Sequence, residues 1–310
     1  MKFVEDLYSY ETWKWELLDT YRSFRLEEVL DGKIDKNRSG EFYLLSDSTP
    51  IQIELSIQND QPLDSELRLV KGIGEKRDIR LKEEGVEDLN DLIEKRTYRE
   101  RAKEIIDEIE RDEYFSIYKR IKKNLQRSHP LYLSLISSIG LNDLLIFDIE
   151  SLGFSGDPIF LIGTATFAKD RLIRDQFLAR DIDEEKNILW EFKKRLGDKP
   201  ALVSFNGRRF DEKLIKMRAK KYDIEIPFSK PHIDILPLAK KRWSERCDSW
   251  SLSNLEKEIL NIEREKDLPG ILIPHFYQLY LEKENPGTLF PIIEHNKRDL
   301  ISIGKLLDHL

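Results

Sequence analysis

The 310-residue chain has a single cysteine, Cys247. An internal disulfide is therefore impossible, and so is a zinc ribbon built on cysteines. Its first fifteen residues, MKFVEDLYSYETWKW, lack the apolar core of a secretory signal. No apolar run approaches the roughly 20 residues needed to cross a bilayer. These absences lead to the expectation of a soluble, cytoplasmic protein with no membrane association. Neither an internal repeat nor a low-complexity tract is visible. Charge is what the chain has in excess, at 36% of residues against about 25% in ordinary domains. The signs are interspersed, and abundant Lys, Arg and Glu with only two Met fit a thermophile. The net charge of −7 argues against indiscriminate binding of nucleic acid. Its distribution weakens that objection. Between 208 and 221, Arg208, Arg209, Lys213, Lys216, Arg218, Lys220 and Lys221 stand against only Asp211 and Glu212. A second basic stretch runs over 119–127.

With 40% hydrophobic residues the length suits about two domains. Residues 1–60 read as an N-terminal extension. A helix is expected over 8–30, then DGKIDKNRSG as a turn-rich connection, then a β-hairpin of EFYLL and IQIELSI around SDSTP. Residues 61–130 read as a helical region interrupted by the glycines of VKGIG, with Gly85 at a helix end and Asp88 before the next helix. A charged helical run over 99–126 stops at His129-Pro130. Residues 140–310 change character. LLIFDIE is a buried strand ending in acids, IFLIGTATF a second strand, RLIRDQFL an edge-like third and ALVSFN a fourth. Helices are expected over 183–196, from about Phe210, over 249–260 and over 289–310. This order is an α/β layout, a mixed sheet flanked by helices.

Three fragments carry chemistry. Asp148 and Glu150 lie two apart at the end of a strand and so share a face about 7 Å apart. Two such carboxylates repel unless a cation neutralises them, although an acid-tipped strand leaving the core would look the same. SFNGRRFD puts Asp211 at the start of a helix, where a helix cap or a favourable charge on the dipole is the plain alternative. In HNKRDLISIGKLL, His295 and Asp299 are four apart and lie on one helical face, as an ordinary surface pair would.

Together, the strand D-x-E, then F-N-G-x-x-F-D, then a late H-x-x-x-D on the final helix resemble the four-carboxylate (DEDD) exonuclease superfamily. More narrowly they resemble the YprB-type ribonuclease-H-like 3′–5′ exonucleases, as do HIDILPLAKKRW, SLSNLEKEIL and DLPGILIPHFYQLYLEK. The likeness covers 144–310. It implies a ribonuclease-H-like fold in which Asp148, Glu150, Asp211 and Asp299 ligate two divalent ions, Mg2+ or Mn2+, with Asp148 bridging both. His295 would then orient or deprotonate the attacking water. Enzymes of this superfamily usually set a histidine five residues, or a tyrosine four, before the last aspartate. Here a histidine takes the four-residue spacing, which matches the YprB type.

Asn206, Arg208 and Arg209 are candidates for holding the substrate backbone, or simply form a solvated turn. His232 and Asp234 read as structural, and Trp243 and Trp250 as core rather than base-stacking residues. VKGIG resembles a helix-hairpin-helix module. Glycine lets backbone N–H groups approach a phosphate, and the next helix start favours negative charge. Lys71, Gly72, Gly74 and Lys76 are its candidate contacts. The expected activity is removal of nucleotides from the 3′ end of nucleic acid, single-stranded DNA being favoured and RNA the other strand considered. The competing readings are a structure-selective DNA endonuclease and a non-catalytic adaptor. All four carboxylates being present argues against the adaptor. Protein partners are not legible.

Overall fold

A short amphipathic helix persists only if its apolar face lies on something larger. In the computed structural model, which describes residues 2–53, 61–153 and 156–310, the N-terminal segment forms α1 (Lys2–Thr20) and one further turn, α2 (Leu26–Val29). Leu17 of α1 is buried, and the Asn285 amide donates to the Leu18 carbonyl at 2.8 Å. The single helix expected over 8–30 is therefore broken after Thr20.

Next comes a hairpin of β1 (Gly32–Asn37) and β2 (Gly40–Pro50), paired from Gly32 opposite Leu45 to Asn37 opposite Gly40. This corrects the expected one. GKIDKN is a strand rather than a connection, and SDSTP lies within β2 rather than at a turn. The strand expected at IQIELSI falls largely outside the described residues, and 51–53 carry no regular structure.

The helical region comprises α3 (Glu75–Glu83), α4 (Leu89–Glu94), α5 (Arg99–Glu110), α6 (Tyr114–Asn124) and α7 (Leu131–Ile139). Gly72 and Gly85 hold φ of +97° and +81°, which favour glycine. Asp88 caps α4 by accepting the N–H groups of Asn90 and Asp91. The run expected over 99–126 is split where Asp112 adopts φ +56°. α7 had no counterpart in the sequence reading. Every one of its residues from Leu131 to Ile136 is buried, so it lacks the one-sided pattern that signals a helix.

The remainder is β3 (Leu144–Ser151), β4 (Ile159–Ala168), β5 (Arg171–Leu178), α8 (Glu185–Gly197), β6 (Ala201–Ser204), α9 (Asp211–Lys221), β7 (His232–Asp234), α10 (Ile235–Arg242), α11 (Leu252–Leu255), α12 (Ile273–Lys283) and α13 (Phe290–His309). The strands form one mixed sheet ordered β1-β2-β5-β4-β3-β6-β7, with β6 and β7 parallel to β3. This is the ribonuclease-H-like mixed sheet flanked by helices. β5 is not an edge. β2 covers it from Tyr43 opposite Leu178 to Pro50 opposite Arg171, and that pairing is what holds SDSTP extended.

Successive side chains of a strand point to opposite faces, and LLIF supplies both. Leu144 and Ile146 join one core with α7, α10, the end of α13 and the helical region, whereas Leu145 and Phe147 join the other with α8, α9 and α12. The helical region is thus seated on the sheet. The Tyr118 hydroxyl of α6 donates to the His232 carbonyl of β7 at 3.0 Å.

Candidate active site

The site begins where β3 runs out of apolar residues. Asp148 pairs with Gly163 of β4. A Cβ at Gly163 would stand 2.1 Å from Asn296 Oδ1, so only glycine lets α13 approach this closely. That approach lets the wholly buried Asn296 donate to Asp148 Oδ2 at 2.9 Å. Gln176 of β5 donates to Asn296 Oδ1 at 2.9 Å and to the Ile293 carbonyl at 3.0 Å, which fixes the amide's orientation. Asn296 was missed from sequence, although it stands beside His295.

Asp211 arrives from the other side. Asn206 turns the chain after β6 with φ +62°, and its N–H donates to Asp234 Oδ1 at 2.7 Å. A Cβ at Gly207 would meet Ser204 Oγ at 2.6 Å and Asp211 Oδ2 at 2.8 Å. Phe210 takes the cap position of α9 and Asp211 is its first residue, so Asp211 is not the helix cap. His232 is buried with both ring nitrogens engaged, one by Ser204 at 2.7 Å and one by Glu212 at 2.8 Å. Its role is structural, like that of Asp234, which caps α10. Trp243 is buried in the core.

His295 and Asp299 share a face of α13, with His295 Nε2 3.7 Å from Asp299 Oδ2. The other ring nitrogen, Nδ1, lies 3.0 Å from Asp267 Oδ1. Arg264 ties this side together. It donates to Asp267 Oδ2 at 2.6 Å, to both oxygens of Glu256 and to Asp299 Oδ1. Glu256 is almost wholly buried in the π-helical turn after α11 and also accepts from Ser302. Glu256 and Asp267 lie in segments that carried family likeness, and Arg264 lies in the stretch between them, to which the sequence reading gave no role. Arg264 and Asp267 stand outside helix and strand, where no periodicity would mark them.

The electrostatics are those of negative charge short of partners. Burial, then Asp299, Glu150 and Asp211, push the Asp148 carboxyl well above the carboxylate range. Burial, then Asp299, Asp211 and Asp267, do the same to Glu150. Asp211 is pushed up to about 7 by burial and by Asp234. Burial also raises Asp299, although His295 and Arg264 pull it down. Burial opposes the charged form of His295, yet the Asp267 hydrogen bond and the Asp299 charge outweigh it and raise its pKa. Asp267 is held down at about 2: burial works against this, but His295 and Arg264 prevail.

The chain thus brings together Asp148, Glu150, Asp211, His295 and Asp299. Asn206, Arg208 and Arg209 lie on the turn just before Asp211. Lys71, Gly72, Gly74 and Lys76 form a separate exposed group at the start of α3, where Arg77 donates to the Gly72 carbonyl at 2.6 Å. Among the described residues no three His, Cys, Asp or Glu side chains already close around a common metal position. Asp299 instead gives an oxygen to Arg264. The donor set nonetheless suits a hard divalent cation. It is all carboxylate, and among the described residues Glu150 and Asp211 have no side-chain hydrogen bond or ion pair.

A family model described as RNase_H superfamily matches residues 145–310. YprB of Bacillus subtilis (strain 168), described as an uncharacterized protein, is 32% identical over 174 residues, 54% of this chain and 42% of its own length. The match therefore spans less than half of that relative. Among solved structures, a family B DNA polymerase from the hyperthermophilic archaeon Pyrobaculum calidifontis aligns at 16% identity and a TM-score of 0.43, over 54% of this chain and 24% of that one. With its mixed sheet and a family match running from β3 to the end of α13, the chain belongs to the RNase_H superfamily.

Proposed function

We propose that this chain is a divalent-cation-dependent nuclease that removes nucleotides from the 3′ end of single-stranded DNA. One observation carries the reading. Four carboxylates from β3, α9 and α13 converge beside one imidazole, and of the four only Asp299 is paired with a guanidinium, while burial raises the pKa of all of them. Asp148, Glu150, Asp211 and Asp299 would hold two Mg2+ or Mn2+ ions, which supply the Lewis acidity that phosphodiester hydrolysis needs. Asp267 accepts a hydrogen bond from His295 Nδ1 and leaves Nε2 to take the proton of the attacking water. Water oxygen bonds to phosphorus while the bond to the 3′ oxygen breaks. Asn206, Arg208 and Arg209 hold the strand beside the cleft, and Lys71, Gly72, Gly74 and Lys76 hold phosphates farther along it.

The test is a time course with single-stranded DNA and RNA labelled at the 5′ end, with magnesium or manganese, for the wild type and Asp148→Ala. Products should shorten stepwise from the 3′ end and disappear with EDTA. Asp148→Ala should be slower by about 10³-fold or more, since several kcal/mol of charge stabilisation goes with the ligand. Full activity in Asp148→Ala would sink the assignment. Internal cutting of a strand with a blocked 3′ end would replace the exonuclease by an endonuclease.

A further inference from the structure

We infer that α6 and the turn before α9 form a landing surface for a single strand of nucleic acid, built by Phe115, Lys119, Lys122, Arg208 and Phe210. The inference rests on the nuclease reading and adds where the strand lies outside the cleft.

Tyr118 is the anchor, buried and tied through its hydroxyl to the His232 carbonyl at 3.0 Å. Around its ring stand the Arg208 guanidinium and the Lys122 ammonium, each 5.8 Å from the centroid. The Phe115 ring stacks beside it at 6.5 Å and 24°, with the Lys119 ammonium 4.8 Å over Phe115. Phe115 is 36% exposed and Phe210, immediately before Asp211, is 45% exposed with the Arg209 guanidinium 5.4 Å over its ring. Two exposed rings are thus interleaved with cations on a path leading from Asp211 onto α6.

Beyond these ring contacts, no internal acid neutralises the cations. Among the described residues Lys119, Lys122, Arg208 and Arg209 make no ion pair. The neighbouring acid, Glu212, is already engaged by His232 and Lys216. Burial and then the Arg208 charge hold the Lys122 amine below its usual value, although the Glu212 charge opposes them. A recess of about 280 Å³ lined by Lys71, Lys119 and Lys123 continues the path toward the glycine hairpin, and the acid in its wall, Glu108, is paired with Arg120 at 2.7 Å. Unpaired cations on a chain of net charge −7 call for an anion from outside. Exposed rings among them call for unpaired bases, which stack on aromatic faces in a single strand and are hidden in a duplex.

The test is fluorescence anisotropy of the full chain with a labelled single-stranded 12-mer and with the same sequence as duplex, in EDTA so that nothing is cleaved. The wild type should prefer the single strand. Phe115→Ala should weaken it by about tenfold. Lys122→Glu should weaken it and flatten the logarithmic salt dependence by about 0.7. Lys283→Glu, the same change of charge on α12, should bind as the wild type does, and thermal melting should show all three variants folded. No binding by the wild type, equal binding of duplex, unchanged affinity in Phe115→Ala or an equal loss in Lys283→Glu would each overturn the surface. Hydrolysis by the wild type with magnesium is measured separately. Binding through this surface without cleavage of any strand would sink the nuclease reading alone, and cleavage indifferent to Phe115 would sink the surface alone.

Discussion

At the scale of single residues, two groups of the candidate site are held by a buried or half-buried neighbour. Asn296 fixes Asp148, and Asp267 fixes the His295 ring. Partners of this kind typically cost 10–100-fold when removed. Asp267→Asn should therefore lower kcat by about that factor while leaving the four carboxylates in place. Because Asp267 acts through His295, the two losses should not add. In a His295→Ala background, Asp267→Asn should cost little further. Measuring kcat for the four proteins of that cycle decides it, and fully additive losses would mean that Asp267 acts elsewhere.

At the scale of elements, two buried ion clusters join segments that have little else in common. Arg264 links the turn after α11 to α13 through Glu256 and Asp299. Arg264→Met would leave the buried Glu256 without its cation, a loss of about 3–5 kcal/mol. Urea unfolding should show it, and a change near zero would mean that solvent reaches Glu256. Glu66 joins the turn before Val70 to the start of α7 through Arg68 at 2.7 Å and His129 at 3.1 Å. Burial alone would raise its pKa, but those two partners outweigh it and hold the carboxyl far below its usual 4.5. The folded chain then binds that proton more weakly than the unfolded chain. The stabilisation is complete above about pH 4.5 and is lost as pH falls toward the folded value. Thermal melting between pH 3 and 7 should fall less steeply on the acid side in Glu66→Gln. Identical slopes would remove Glu66 from the acid response.

At the scale of the molecule, the sheet is completed by the first fifty residues. β2 covers β5, and Phe42 and Tyr43 enter the core shared by α8 and α12. Deleting 1–50 would leave β5 as an open edge and strip Phe177 and Leu178 of cover. Open apolar edges invite pairing with other chains. The shortened chain should run as soluble aggregate on size exclusion, and a monomer with unchanged melting would show the hairpin to be dispensable.

What the sequence determined alone were the features written in local pattern. The apolar run before Asp148 and Glu150, the Asn-Gly turn before Asp211 and the four-residue spacing of His295 and Asp299 each require only a strand, a turn or a helix to be read. Local pattern failed where distant chain supplied the partner. GKIDKN and SDSTP are polar enough to read as connections, and they are strands because GKIDKN pairs with the first half of β2 and SDSTP with β5. α7 is buried on every side from Leu131 to Ile136 and there shows no amphipathic signature. Arg264 and Asp267 lie in an irregular segment and reach the cleft only because that segment folds back against α13. Period and turn chemistry act over a few residues and are visible in a string of letters. Edge pairing, burial on all sides and long-range ion pairs depend on which surfaces meet, and only the packed tertiary structure decides that.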